Sequence, residues 1–162
     1  MEEEVVVGGS SAQVLALTIA KESGFPFIKS DLRKFPDGER YIRVLCYVKG
    51  KTVNVVQSMY QQPDDYLLEY FLIVDNLRDI GASRIKGIIP YFAYAIQDGR
   101  FNPGEAFSLK TVVNLIESVG TDEVHTIDLH LHRIENISKL FKIPSTNITV
   151  VTDLARYVRQ NA

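Results

Sequence analysis

The 162 residues are enough for one domain with a real core, and 46% hydrophobic with 23% charged residues is the profile of an ordinary globular protein. A net charge of −2 gives no broad electrostatic footprint for nucleic acid, and no apolar run approaches the roughly 18 residues of a membrane span; the acidic start MEEEVVVGG reads as too poor in apolar residues for a signal peptide. The single cysteine, Cys46, rules out an internal disulfide, fits a reducing cytoplasm and is expected as a small core hydrophobe.

Residues 5–7 read as a short buried strand that ends at Gly8-Gly9. Ser10 or Ser11 then stands where it could cap a helix, AQVLALTIAKES, that stops at Gly24. The stretch FPFIKSDLRKFPDGERYIRVLCYVKG shows strand alternation around residues 41–44 and turn chemistry at Pro36-Asp37-Gly38. TVNVVQS is a continuous apolar strand. Pro63-Asp64-Asp65 opens a helix in which Leu67, Phe71, Val74 and Leu77 recur at helical spacing, and Gly81 ends it. RIKGIIPYFAY reads as a strand and its exit, QDGRFNPGE as a polar loop and AFSLKTVVNLIESVG as a helix. DEVHTIDLHLH is a strand, RIENISKLFKI a short helix, ITVV a strand and TDLARYVRQNA a last helix.

Strands that are apolar on both faces and alternate with helices indicate parallel βαβ units: an α/β fold, one domain, its parallel sheet covered by helices on both faces. Ligands of such sheets gather beyond the carboxyl ends of the strands. Asp128, His130 and His132 are expected there, as are Gly8-Gly9, Gln57-Ser58 and residues 91–97.

The segment HTIDLHLH, residues 125–132, carries the most chemistry. Read as a strand, it puts Asp128, His130 and His132 on one face, about 6–7 Å apart in succession, with His125 on the other. That triplet suits a metal or metal–phosphate site; it is equally a partly exposed strand end with satisfied polar groups. FPDGER is a good turn, yet it also presents Phe35, Asp37 and Glu39 together, an aromatic face with two acceptors for a base. GGSS at residues 8–11 could bind an anion at a helix N-terminus, though a tight turn without ligand explains it better. Gln97, Asp98 and Arg100 suit either a nucleotide-contacting loop or a solvated one.

Taken in order, RKFPDGERYIRV, VVQS, LLEYFLIVDNLRDIGASRIKGIIPYFAYAIQDGRFNPGEAFSLKTVVNLI and GTDEVHTIDLH resemble the ribose-phosphate pyrophosphokinases (phosphoribosyl pyrophosphate synthetases) across nearly all of residues 4–160. The resemblance implies one of two tandem phosphoribosyltransferase-like domains. Residues 1–162 would form the N-terminal, ATP-site domain, and the C-terminal ribose-phosphate-binding domain would be absent from this chain. It implies transfer of diphosphate from MgATP to ribose 5-phosphate in nucleotide biosynthesis, in the cytoplasm, by a homodimer or larger homo-oligomer without nucleic-acid or membrane partners. Phe35, Asp37 and Glu39 would reach into a neighbouring subunit's ATP site, the Phe on adenine and the carboxylates on its amino group. Gln97 would contact the nucleotide, and Asp98 beside it belongs to the same expected site. His130 would be the catalytic contact to the ATP phosphates or their Mg²⁺, with Asp128 supporting the metal.

Three departures stand out. The chain is about half the family's usual length and lacks the ribose-phosphate loop and the catalytic flexible loop, so it is expected to be inactive alone. Ile96 stands where the family usually has Arg, which predicts weaker ATP binding. LHRIENISKLF replaces the usual DLHxxQxxGFF, which leaves His132 without an expected role. Two alternatives remain: a non-catalytic regulatory partner of the same family, and a metal-dependent hydrolase built on Asp128, His130 and His132.

Overall fold

The computed structural model describes residues 3–131, 134 and 136–161. Among these residues eight strands and four α-helices follow in the order β1 (Glu4–Gly8), α1 (Gln13–Ser23), β2 (Phe27–Ile28), β3 (Ser30–Lys34), β4 (Arg40–Val44), β5 (Thr52–Val56), α2 (Pro63–Asp79), β6 (Arg84–Ile89), α3 (Ser108–Ser118), β7 (Glu123–Ile127), β8 (Ser145–Ile148) and α4 (Val151–Asn161). Six strands form one sheet in the order β2-β1-β5-β6-β7-β8, and every pair in it is parallel. β3 and β4 form a separate antiparallel hairpin.

The apolar strands are buried because helices cover them on both faces, as continuous Val/Ile runs require. On one face Val5, Val7, Val53, Val55, Ile85 and Val124 meet Tyr70, Ile73, Val74 and Leu77 of α2 and Leu109, Val113 and Ile116 of α3. Each such large side chain contributes about 1.5–3 kcal/mol when fully buried. On the other face Val6 and Val56 meet Ala16 and Ala20 of α1, whose small side chains let the helix lie close. α4 is exposed along its whole length, with Val151, Leu154, Tyr157 and Val158 each about 60% open to solvent.

Five local expectations change. Neither Ser10 nor Ser11 caps α1; Ala12 holds that position without a side-chain bond. Ser10 gives its N–H and Oγ to Glu69 (2.7 and 2.8 Å), and Ser11 Oγ donates to the Ser58 carbonyl (2.5 Å), so long-range partners outcompete the local cap. The HTIDLHLH strand stops at Ile127. Asp128 turns to φ +42°, with its N–H on the Ile148 carbonyl (2.8 Å) and its Oδ2 accepting from Val150 N–H (3.1 Å). Strand alternation therefore cannot align Asp128 and His130, and His132 lies outside the described residues. β8 comes earlier than ITVV, and in place of the expected helix the described residues of RIENISKLFKI hold one 3₁₀ turn, Ile137–Lys139, capped by Asn136 Oδ1. Cys46 is exposed on the stretch after β4, not in the core.

Candidate functional site

β6 and β7 run side by side, with Ile89 opposite Thr126. Beyond their carboxyl ends lies a pocket of about 590 Å³. Tyr91, Tyr94, Ile96 and Phe101 give it an apolar lining; Gln97, Asp128 and His130 supply the polar groups. A mostly apolar concavity with a few convergent polar groups is the usual build of a small-ligand site.

The backbone around it is strained. Tyr94 (φ +63°) and Asp128 (φ +42°) are two of the three non-glycine residues with positive φ among those described, and both line this pocket. Such conformations cost about 1–3 kcal/mol each and persist where surrounding contacts over-determine them. Those contacts are visible. The Tyr94 hydroxyl donates to Asp64 at the start of α2, and this bond to a carboxylate holds the phenol above its ordinary pKa. Asp128 is fixed by Ile148 and Val150, and Leu129 N–H donates to Asn147 Oδ1 (3.0 Å).

Gln97 Oε1 accepts from Ser108 Oγ at the start of α3 (2.7 Å), which fixes Nε2 as the donating end of the amide. Asp98 is 3% exposed, accepts from Ile134 N–H (3.1 Å) and is not among the residues that line the pocket. His130 is exposed at the pocket edge.

Phe35, Asp37 and Glu39 occupy the tip of the β3–β4 hairpin. Phe35 N–H donates to the Glu39 carbonyl (2.8 Å), Gly38 N–H to the Phe35 carbonyl (2.9 Å), and Glu39 N–H to Asp37 Oδ1 (3.1 Å). The Phe35 ring, 44% exposed, meets Tyr41 edge-on at 5.7 Å. None of the three lines the pocket. Within one chain, then, the fold gathers Gln97, Asp128 and His130 and holds Phe35, Asp37 and Glu39 elsewhere.

The sequence matches the N-terminal domain of ribose phosphate pyrophosphokinase over residues 4–120. The chain belongs to the ribose-phosphate pyrophosphokinase family. It is 40% identical to a ribose-phosphate pyrophosphokinase of Methanothermobacter thermautotrophicus over 155 residues, covering 95% of this chain and 53% of that protein. It is 39% identical to the Methanobrevibacter smithii enzyme of that name over 154 residues, 95% of this chain and 50% of that protein. The crystal structure of phosphoribosylpyrophosphate synthetase from Mycobacterium smegmatis superposes with a TM-score of 0.90 at 27% identity, covering 98% of this chain and 52% of that one. The chain thus spans about half the length of the relatives it matches. The 4–120 match contains FPDGE and the loop with Gln97; the longer alignments extend past it.

Set beside this ribose-phosphate pyrophosphokinase kinship, two motifs resolve physically. GGSS lies where the sheet order reverses, between β1 and β5, the usual ligand crevice of such sheets. Here part of that crevice is taken by the chain's own side chains, beside a concavity of about 550 Å³ lined by Ser10, Ser11 and Ser58. A Cβ on Gly9 would sit 2.0 Å from Gln57 Oε1, and the Ser10 N–H is taken by the Glu69 carboxylate. The turn is closed by Ala12 N–H on the Gly9 carbonyl (3.1 Å), and the Glu69 carboxylate accepts from the Ser10 N–H. Second, among the described residues no group of three or more His, Cys, Asp or Glu side chains converges as a metal cage. Asp128 and His130 share the pocket, and one Asp128 oxygen already accepts from backbone. That donor set fits Mg²⁺, which keeps waters and takes one or two carboxylates plus substrate phosphates.

Sequence reasoning passed over Phe101, a lone aromatic in the polar QDGRFNPGE loop that lines the pocket; its isolation among Gly, Pro and Asn was the available signal. It also missed Glu69, fully buried on α2. No helix of the described residues is long and apolar enough to cross a membrane.

Proposed function

We propose that the chain is the nucleotide-binding half of a ribose-phosphate pyrophosphokinase, which transfers the β,γ-diphosphoryl group of MgATP to the 1-hydroxyl of ribose 5-phosphate. The sugar oxygen bonds to the β-phosphorus, the bond from that phosphorus to the α,β-bridging oxygen breaks, and AMP leaves. The observation that carries this reading is the pocket beyond β6 and β7, where Gln97, Asp128 and His130 meet an apolar lining within a domain of this family. Such transfers need positioning and charge neutralisation more than covalent help from the protein.

Each residue then has a task. The His130 imidazole donates to phosphate oxygens, and the Gln97 amide donates to the nucleotide. Tyr91, Ile96 and Phe101 exclude water from one side of it. Asp128 and His130 would hold Mg²⁺ at the nucleotide phosphates, where it would supply countercharge. Phe35, Asp37 and Glu39 stand apart from their own chain's pocket, which suits delivery to the pocket of a second copy, so the working form is at least a dimer. Ribose 5-phosphate is bound by residues beyond this chain's half of the family length, so the 162 residues alone release no AMP.

Calorimetric titration with MgATP tests the reading. The wild-type chain binds, and His130→Ala weakens binding about tenfold, the loss expected for one or two charge-assisted hydrogen bonds. Equal affinity for the variant, or no heat from the wild type, overturns the assignment. Tightly held stoichiometric zinc in the purified chain would favour the hydrolase alternative instead.

A further inference from the structure

Glu69 is fully buried, and nothing in the proposed chemistry uses it. Its carboxylate accepts four hydrogen bonds: from Ser10 N–H (2.7 Å) and Gln57 Nε2 (3.0 Å) on Oε1, and from Ser10 Oγ (2.8 Å) and the Arg40 guanidinium on Oε2. A buried carboxylate is costly unless its lone pairs are filled in this way. Three of these donors belong to the strand ends of the main sheet. The fourth, Arg40, belongs to the hairpin.

Arg40 is the first residue of β4, one position after Glu39, and its side chain is only 7% exposed. It also approaches Asp65 (3.6 Å) and lies 5.8 Å from the Tyr66 ring centroid. Its cross-strand partner Lys34, the last residue of β3, pairs with Asp65 at a more exposed position. The two residues that flank the tip are therefore both tied to α2, at Asp65 and Glu69, one helical turn apart. Farther from the tip, Leu32 and Ile42 at the middle of the hairpin and Val44 at its far end pack on the core.

We propose that Glu69 is a positioning residue: through Arg40 it sets where the hairpin tip, residues 35–39, stands relative to the strand ends that form the crevice. Its value to nucleotide binding rests on the function proposed above. Its effect on the tip does not. Exposed Lys34–Asp65 contributes little to the placement, because surface pairs are screened by solvent, whereas the Arg40–Glu69 pair is shielded.

The test uses the 162-residue chain with two readouts, amide hydrogen exchange of residues 33–41 and MgATP titration. Arg40→Met releases the tip while Ser10 and Gln57 still fill three of the four bonds to Glu69; Glu69→Gln serves if that variant fails to fold. Tip exchange is expected to quicken about tenfold and MgATP affinity to fall by a similar factor, with sheet amides unchanged. Arg40→Lys, which keeps one donor, recovers part of both, and Lys34→Met stays within about twofold of wild type. The proposal is overturned if Arg40→Met leaves tip exchange within twofold of wild type, or quickens it without loss of affinity. If the wild-type chain binds no MgATP, the functional proposal fails, and the exchange result alone decides the positioning claim.

Discussion

At Gly9 the backbone gives its own side-chain space to Gln57. A methyl there would lie 2.0 Å from Gln57 Oε1, and Gln57 is itself bonded to Glu69, so neither can yield cheaply. Gly9→Ala should lower stability by about 1–3 kcal/mol, the cost of overpacking a filled interior, read as a fall in the thermal midpoint; an unchanged midpoint would mean that Gln57 moves freely. Ile96 shows the reverse situation. It is 57% exposed on the pocket lining, so a longer side chain meets open space. Ile96→Arg adds a guanidinium where the family usually has one, and MgATP affinity should rise roughly tenfold, the worth of a charge-assisted bond. A titration showing no gain would break the carry-over at that position. That His130 would stand beyond the end of β7 could be anticipated from the sequence, and it does line the pocket there. The burial of Asp98 could not, since it depends on distant chain such as the backbone N–H of residue 134.

At the scale of elements, apolar runs and turn residues marked the parallel strands, α2 and the hairpin turn. What escaped were elements decided by distant partners. HTIDLHLH alternates like a strand, but the end of β8 and the start of α4 capture Asp128 and end the strand at Ile127. Ser10 resembles a helix cap until a carboxylate 59 positions away claims both its donors. The amino end of the sheet offers a pH test. The Asn54 amide, helped by Lys86, holds the Glu4 carboxyl below its ordinary value of 4.5, outweighing partial burial, which pushes it up. A carboxyl lowered in the folded state adds stability that is full above its unfolded pKa and is lost as pH falls through the folded one. The gap in thermal midpoint between wild type and Glu4→Gln should therefore be widest above about pH 5 and shrink below about pH 4. A gap that does not change with pH would show that Glu4 acts only through packing.

At the scale of the molecule, the parallel sheet sets three ligand-relevant places apart. In the crevice between β1 and β5, Gln57, Glu69 and Ser10 bond one another; the pocket beyond β6 and β7 is open; the hairpin tip lies outside the lining of that pocket and is tied through Arg40 to Glu69. This division follows from strand order, which no short motif encodes, and it explains why FPDGE and the His130 segment read as separate clues in the sequence. It also predicts division of labour. The 162-residue chain should produce no AMP from MgATP and ribose 5-phosphate in a coupled assay, and turnover by it would refute the assignment of ribose binding to the rest of the family's length. The central claim is that nucleotide phosphates meet residue 130 beyond β7. With three histidines in the chain, the direct measurement is an NMR titration of the imidazole resonances with MgATP. The account predicts that the His130 signals shift and saturate, while those of His125, which sits within β7 against Glu123, stay in place. Saturable MgATP binding that leaves His130 unshifted would contradict it.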